Sequence, residues 1–166
     1  MKSIQVKLIK TVKSIKPYLL TFAFILCAFV FAFVLCLIFN KPQSAWFIQL
    51  DKSLIYPPEI LFPIFWVIIY LLLIFNCTYT IHKSKSTALI IYIAVTLIFH
   101  VLWSLFFFTL HSPLFGFLIM LALIFLGVRL LKISFKVSKV SGYLNIAYIA
   151  WISYLLILNY CILMIN

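Results

Sequence analysis

An all-α integral membrane bundle of five transmembrane helices is the fold this sequence predicts, and three observations carry that expectation. The 166 residues are 67% apolar and 9% charged, where a soluble domain is roughly 45–50% apolar and about 25% charged. A water-soluble globule with so little polar surface could not cover itself. The apolar residues fall into five long runs separated by polar breaks, and each run is continuous rather than alternating, which excludes the two-residue period of a transmembrane β-barrel.

The first span, Tyr18–Phe39, carries no charge and follows a basic arm at residues 1–17. Its apolar stretch exceeds the roughly 7–15 residues of a signal-peptide core, and Gln43 spoils a small-x-small cleavage pattern, so it is expected to remain as a span. Pro58–Ile81, Thr87–Leu110, Pro113–Phe135 and Gly142–Ile165 follow. At 22 to 24 residues each, all five are long enough to cross the roughly 30 Å hydrocarbon core. The connections His82–Ser86, His111–Ser112 and Lys136–Ser141 are short, and only Asn40–Pro57 is long. Residues 18–166 therefore read as one membrane domain without internal repeats.

If the spans alternate, Lys2, Lys7, Lys10, Lys13, Lys16, Lys83, Lys85, Arg129, Lys132, Lys136 and Lys139 share one side, while Lys41 and Lys52 fall on the other. Both acids, Asp51 and Glu59, lie with the latter pair. This asymmetry predicts a cytoplasmic N-terminus and an external C-terminus. The net charge of +11 flanks the spans and faces anionic lipid headgroups, so no nucleic-acid partner is expected. The four cysteines (Cys27, Cys36, Cys77, Cys161) sit within spans without CxxC spacing and read as packing thiols, with no metal site.

Three spans carry polar or aromatic stripes. Pro58, Phe62, Trp66 and Tyr70 recur every four residues. Tyr92, Thr96, His100, Trp103 and Phe107 fall within an arc of about 80°, and Asn145, Tyr148, Trp151, Leu155, Asn159 and Asn166 within about 120°. Polar groups facing lipid are costly, so these stripes should face inward. Ordinary bundle packing and an internal ligand pocket both account for them. The expected tryptophan depths, about 12 Å for Trp66, about 10 Å for Trp103 and about 20 Å for Trp151, favour the outer half or centre, beneath the long loop with Trp46. No Asp, Glu or Lys occupies a span interior and Arg129 is near enough to an end to snorkel, which leaves ion-coupled pumping without residues. Hydrolase, zinc-protease and nucleotide motifs are likewise missing.

The segment from Trp46 through Leu50, Lys52 and Tyr56-Pro57-Pro58 to Phe62, Trp66 and Tyr70 resembles the signature of the TspO/MBR family, which comprises tryptophan-rich sensory proteins and the mitochondrial translocator protein. That signature runs W-Y-x-x-L-x-K-P, then P-P, then F-x-x-x-W-x-x-x-Y. Trp103-Ser104-Leu105-Phe106-Phe107 resembles the family's W-S-x-L-F-F, and Tyr148 to Trp151 with Leu158-Asn159 and Asn166 resembles its closing run. All four tryptophans fall at family tryptophan positions. The departures are Ser53 for a proline, Pro63 and Ile74 for glycines, Ala147 for a proline, His100 for a pocket asparagine and Leu155 for a small residue. The proposed cholesterol motif needs Lys or Arg after Tyr160, and none follows.

The resemblance implies a bundle that is usually a homodimer and binds porphyrins, haem-like tetrapyrroles and other hydrophobic molecules, with a bacterial cell membrane as the expected location. Implied ligand-binding residues are Trp46, Pro57, Pro58, Trp66, His100, Trp103, Tyr148, Trp151 and Leu155. Three roles are open. The first is a receptor or sensor that requires no cofactor, with porphyrin or haem as ligand. The second is light-dependent protoporphyrin degradation, in which Trp66 and Trp151 would be the catalytic redox partners. The third is porphyrin or lipid transport. His100 reads in three ways: a bundle hydrogen bond to Thr96 one turn away, a polar contact to the ligand, or an axial ligand to haem iron. Small residues on the first span (Thr21, Ala28, Ala32, Cys36) and on the fourth (Gly116, Gly127) mark faces for close helix or dimer contact.

Overall fold

The computed structural model describes residues 2–39, 44–84 and 87–166, with side chains from Lys16 in the first stretch and from Leu89 in the last. The side chains of Lys2, Lys7, Lys10 and Lys13, and the residues Lys41, Gln43 and Lys85, lie outside that description. The helices are α1 (Lys2–Phe39), α2 (Ala45–Gln49), α3 (Leu61–Ser84), α4 (Thr87–Ser104), α5 (Pro113–Val137) and α6 (Lys139–Ile165). Five contain segments long and apolar enough to cross a membrane: Lys16–Phe39, Leu61–Ser84, Leu89–Thr109, Pro113–Val137 and Lys139–Ile165. No strand occurs among the described residues.

Several boundaries differ from expectation, each for a local reason. The basic arm is helical from Lys2 and runs without a break into the first span, with Pro17 inside the helix. The second span begins at Leu61 and not at Pro58. Prolines 57 and 58 hold the chain extended, and a turn closes first, with the Leu61 amide donating to Pro58 O at 2.9 Å. The long connection is not featureless: Ser44 caps the five-residue α2, its Oγ accepting from the Phe47 amide at 3.3 Å.

α4 ends in a wide turn over Leu105–Thr109, where the Leu110 amide reaches back five residues to Leu105 O at 2.9 Å. The wider register turns the adjacent Phe107 and Phe108 both inward, and both are buried. Such widened turns cluster at functional sites. His111 then takes a left-handed backbone, φ 52°, which reverses the chain into Pro113 at the first position of α5, where proline is pre-organised. The expected loop Lys136–Ser141 shrinks to the single residue Ser138, because its lysines complete the flanking helices. The Ser138 amide closes α5 on Ser134 O at 2.9 Å, and its hydroxyl caps α6 by accepting from the Ser141 amide at 3.1 Å.

The five long helices form a closed ring in the order α1, α3, α6, α5, α4, and α5 against α6 is the most extensive pair. Glycine makes that approach close. A Cβ on Gly127 would meet Ile152 and Tyr148 of α6 at 3.2 Å, and one on Gly116 would meet Phe107 at 3.0 Å and Asn159 at 3.2 Å. Ala32 of α1 is also buried. At the end of the ring opposite α2, a buried polar cluster ties three helices. The Ser141 hydroxyl donates to Asn76 Oδ1, Thr80 and Ser141 hydroxyls lie 2.6 Å apart, and Asn145 Nδ2 donates to Ser134 Oγ at 3.0 Å.

Candidate functional site

A cavity of about 430 Å³ lies in the α2-side half of the ring, walled by α1, α3, α4 with its wide turn, and α6. Trp66 is its hub. Its ring meets His100 edge-on at 5.3 Å between centroids, Tyr70 at 5.4 Å and Trp151 at 6.1 Å, and lies tilted to Trp103 at 6.2 Å. Trp103 stacks on Phe107 at 5.7 Å. Each such pair is worth about 0.5–1.5 kcal/mol beyond the area it buries, so the walls are stiff and present flat faces.

The four-residue spacing on α3 places Phe62, Trp66 and Tyr70 along the cavity, while the α4 stripe delivers His100, Trp103 and Phe107, and α6 delivers Leu155 and Asn159. Of the nine residues marked in the sequence, Trp66, His100, Trp103 and Leu155 line the cavity. Tyr148 is buried behind His100, its hydroxyl 3.2 Å from Nε2. Trp151 is buried behind Trp66, stacked on Phe65 at 5.0 Å. Trp46 belongs to the roof, stacked on His111 at 4.6 Å. Pro57 and Pro58 shape the roof segment and do not line the cavity.

The expected bond from His100 to Thr96 does not form. The Thr96 hydroxyl donates to its own helix at Tyr92 O, 2.8 Å away, as hydroxyls in apolar helices do. That leaves the imidazole to Tyr148, and His100 Nδ1 has no partner. Trp103 Nε1 and Asn159 Oδ1 are also buried without partners, although Asn159 Nδ2 donates to Pro113 O at 2.9 Å. Leaving a buried polar atom unpaired costs about 1–3 kcal/mol. Three such residues facing one apolar chamber are groups a ligand could pair with.

The roof is formed by residues 44–60, the described part of the connection between α1 and α3. Phe47 is buried beneath it, and Lys52 Nζ lies 4.5 Å from the Phe47 ring and 5.2 Å from that of Tyr56, while pairing with Glu59 at 3.0 Å. Burial, reinforced by the Glu59 carboxylate and then by Tyr154, holds the Tyr56 phenol above its ordinary range, so it stays protonated. The Asp51 amide donates to Asn166 Oδ1 at 2.9 Å, Asn166 Nδ2 donates to Asp51 O at 3.1 Å, and the Tyr154 hydroxyl donates to Ile55 O at 2.9 Å. The roof is thereby fastened to α6.

Sequence reasoning missed the α1 wall (Phe33, Cys36, Leu37) and Phe47, Tyr56, Ser104, Phe108, Leu158 and Ile162. Leu158 and Ile162 were reachable by continuing the α6 stripe from Leu155 at helical spacing. The small residues marked on α1 do face inward, with Ala32 buried and Cys36 on the cavity wall, but Phe33 and Leu37 carry no comparable mark in the sequence. Among the described residues, no three His, Cys, Asp or Glu side chains converge as metal ligands.

Five apolar helices ringed about an aromatic chamber define a multi-pass membrane protein with an internal cavity. The pattern of the TspO/MBR family matches residues 18–165. The tryptophan-rich protein TspO of Chlorobaculum tepidum is 30% identical over 131 residues, covering 76% of this chain and 82% of that relative. The chain belongs to the TspO/MBR family.

Proposed function

We propose that this protein is a membrane receptor or sensor that binds tetrapyrroles, and other flat hydrophobic molecules, in the cavity around Trp66, His100, Trp103 and Leu155. The observation that carries the reading is an aromatic chamber holding three buried side chains with unpaired polar atoms, His100, Trp103 and Asn159. Flat ligands stack on indole and phenol faces while a few polar groups fix their orientation. Tyr148 and Trp151 act from behind, by positioning His100 and Trp66, and Trp46, Pro57 and Pro58 shape the roof. In this reading porphyrin or haem is ligand and no cofactor is required. The proposed orientation puts the N-terminus and the Lys/Arg-rich ends in the cytoplasm and the roof outside, in a bacterial cell membrane, with a homodimer as the assembly.

The test is a spectroscopic titration of purified protein with protoporphyrin IX and haemin, in darkness and under light. Saturable binding in the dark, weakened in Trp103→Ala, supports the receptor. No shift with either compound overturns it. The edge-on contact of Trp66 and Trp151 at 6.1 Å supports a second reading, light-dependent porphyrin degradation with dissolved dioxygen as the oxidant, in which the two indoles relay electrons from the porphyrin to it. Bleaching of the porphyrin band under light, lost in both Trp66→Phe and Trp151→Phe, would select it, and unchanged spectra would remove it.

A further inference from the structure

We infer that the cavity opens sideways into the hydrocarbon of the roof-side leaflet, through a slot between the end of α1 and the start of α3, so that its ligand arrives dissolved in the membrane and not from water. The inference rests on the cavity being a ligand site, and it adds the physical class of the ligand, a lipid-partitioning molecule. Every residue that α4, its wide turn and α6 give to the lining is buried. The lining residues that are exposed all lie on one seam: Leu37 at 54% on α1, and Ile60 at 71%, Glu59 and Pro63 at the entrance to α3. Three of these four are apolar, which suits a lipid-facing rim.

The seam is shut elsewhere. Toward the other end of the helices α1 is held on α3 by ring contacts: Phe29 on Tyr70 at 5.3 Å, Phe22 on Phe75 at 5.7 Å and Tyr18 on His82 at 5.1 Å. Above the cavity the roof is bound down by the Asp51–Asn166 pair, the Tyr154–Ile55 bond, the Trp46–His111 stack and the Lys52–Glu59 ion pair. Passage from water would break several of these and drag an apolar molecule past charged side chains. Passage through the slot leaves the Asp51–Asn166, Tyr154–Ile55 and Trp46–His111 contacts intact and meets one charged side chain, Glu59, at its edge.

The experiment compares the wild type with a plugged variant, Leu37→Phe with Ile60→Phe, and with Asn166→Ala, which loosens the roof. Each protein is reconstituted in phosphatidylcholine vesicles and mixed with protoporphyrin IX in stopped flow. Both plug positions face lipid, so the variant is expected to fold. The expected result is that plugging slows association and dissociation together by about tenfold or more, since a narrowed path obstructs both directions, while Asn166→Ala leaves both rates as they were. Faster exchange in Asn166→Ala with no change in the plugged protein would overturn the slot. A second arm needs no porphyrin: vesicles of brominated phosphatidylcholine quench tryptophan fluorescence where acyl chains reach the rings. Less quenching in the plugged variant supports the slot, and equal quenching overturns it. If the wild type binds no protoporphyrin, the tetrapyrrole reading falls while this arm still decides the slot.

Discussion

His100 joins α4 to α6 through one bond, Nε2 to the Tyr148 hydroxyl at 3.2 Å, and its Nδ1 is buried without a partner. A side chain that contacts ligand and one that merely braces the bundle respond differently to truncation. His100→Ala is expected to weaken protoporphyrin binding about tenfold, the value of one hydrogen bond of about 1.4 kcal/mol. His100→Asn, which restores the residue usual in the family, is expected to keep that binding. Titration of the two variants checks this, and a drop in thermal stability in His100→Ala with affinity intact would assign a bracing role instead. A haemin-specific spectral shift lost in His100→Asn would assign Nδ1 to iron. Glycine 127 makes a second case at this scale. With Ile152 and Tyr148 only 3.2 Å from where a Cβ would sit, Gly127→Phe is expected to destabilise the protein by about 1–3 kcal/mol through overpacking, read as a lower melting temperature in detergent.

At the scale of elements, α3, α5 and α6 are joined at the end away from the roof by Asn76, Thr80, Ser141, Ser134 and Asn145, all buried. Interhelical hydrogen bonds in membranes average about 0.6 kcal/mol and reach about 1.7 kcal/mol. Asn76 Oδ1 accepts from both Ser141 and Thr80. Asn76→Ala is therefore expected to lower stability by about 1 kcal/mol in thermal unfolding and to leave porphyrin affinity unchanged, because the cluster lies outside the cavity. What the sequence disclosed at this scale follows one rule. Where a stripe is polar or rich in Trp, as on α4 and α6, the cost of exposing it to lipid fixes its direction, and Thr96, His100, Trp103, Asn145, Tyr148 and Asn159 all face inward. On α1, which has no polar or Trp stripe, the small residues gave the direction, with Ala32 buried and Cys36 on the cavity wall, while Phe33 and Leu37 were illegible because lipid and protein interior attract large apolar side chains alike. Helix ends were legible only roughly. Prolines 57 and 58 delay α3, and a single serine reverses the chain between α5 and α6, neither of which hydropathy registers. The wide turn at Leu105–Thr109 depends on a backbone bond of altered register and leaves no mark in composition.

Over the whole molecule, five spans put the two termini on opposite sides of the membrane, and the orientation proposed above assigns the Lys/Arg-rich side to the cytoplasm. Reporter fusions at the N-terminus and at Lys85 are expected to read cytoplasmic, and one at Asn166 external. A cytoplasmic reading at Asn166 would overturn the proposed orientation. The single-residue reversal at Ser138 also governs how the ring is assembled. With no slack between them, α5 and α6 cannot settle into lipid one at a time and are expected to leave the insertion machinery as a preformed hairpin, its faces already matched at Gly127. α1, the least buried of the five spans, then docks last as a removable stave of the barrel. Inserting Gly-Gly-Ser-Gly after Ser138 is expected to slow recovery of native tryptophan fluorescence on refolding into vesicles, whereas the same insertion at the roof would not. An unchanged rate would mean that pairing of the last two helices is not the step on which assembly waits.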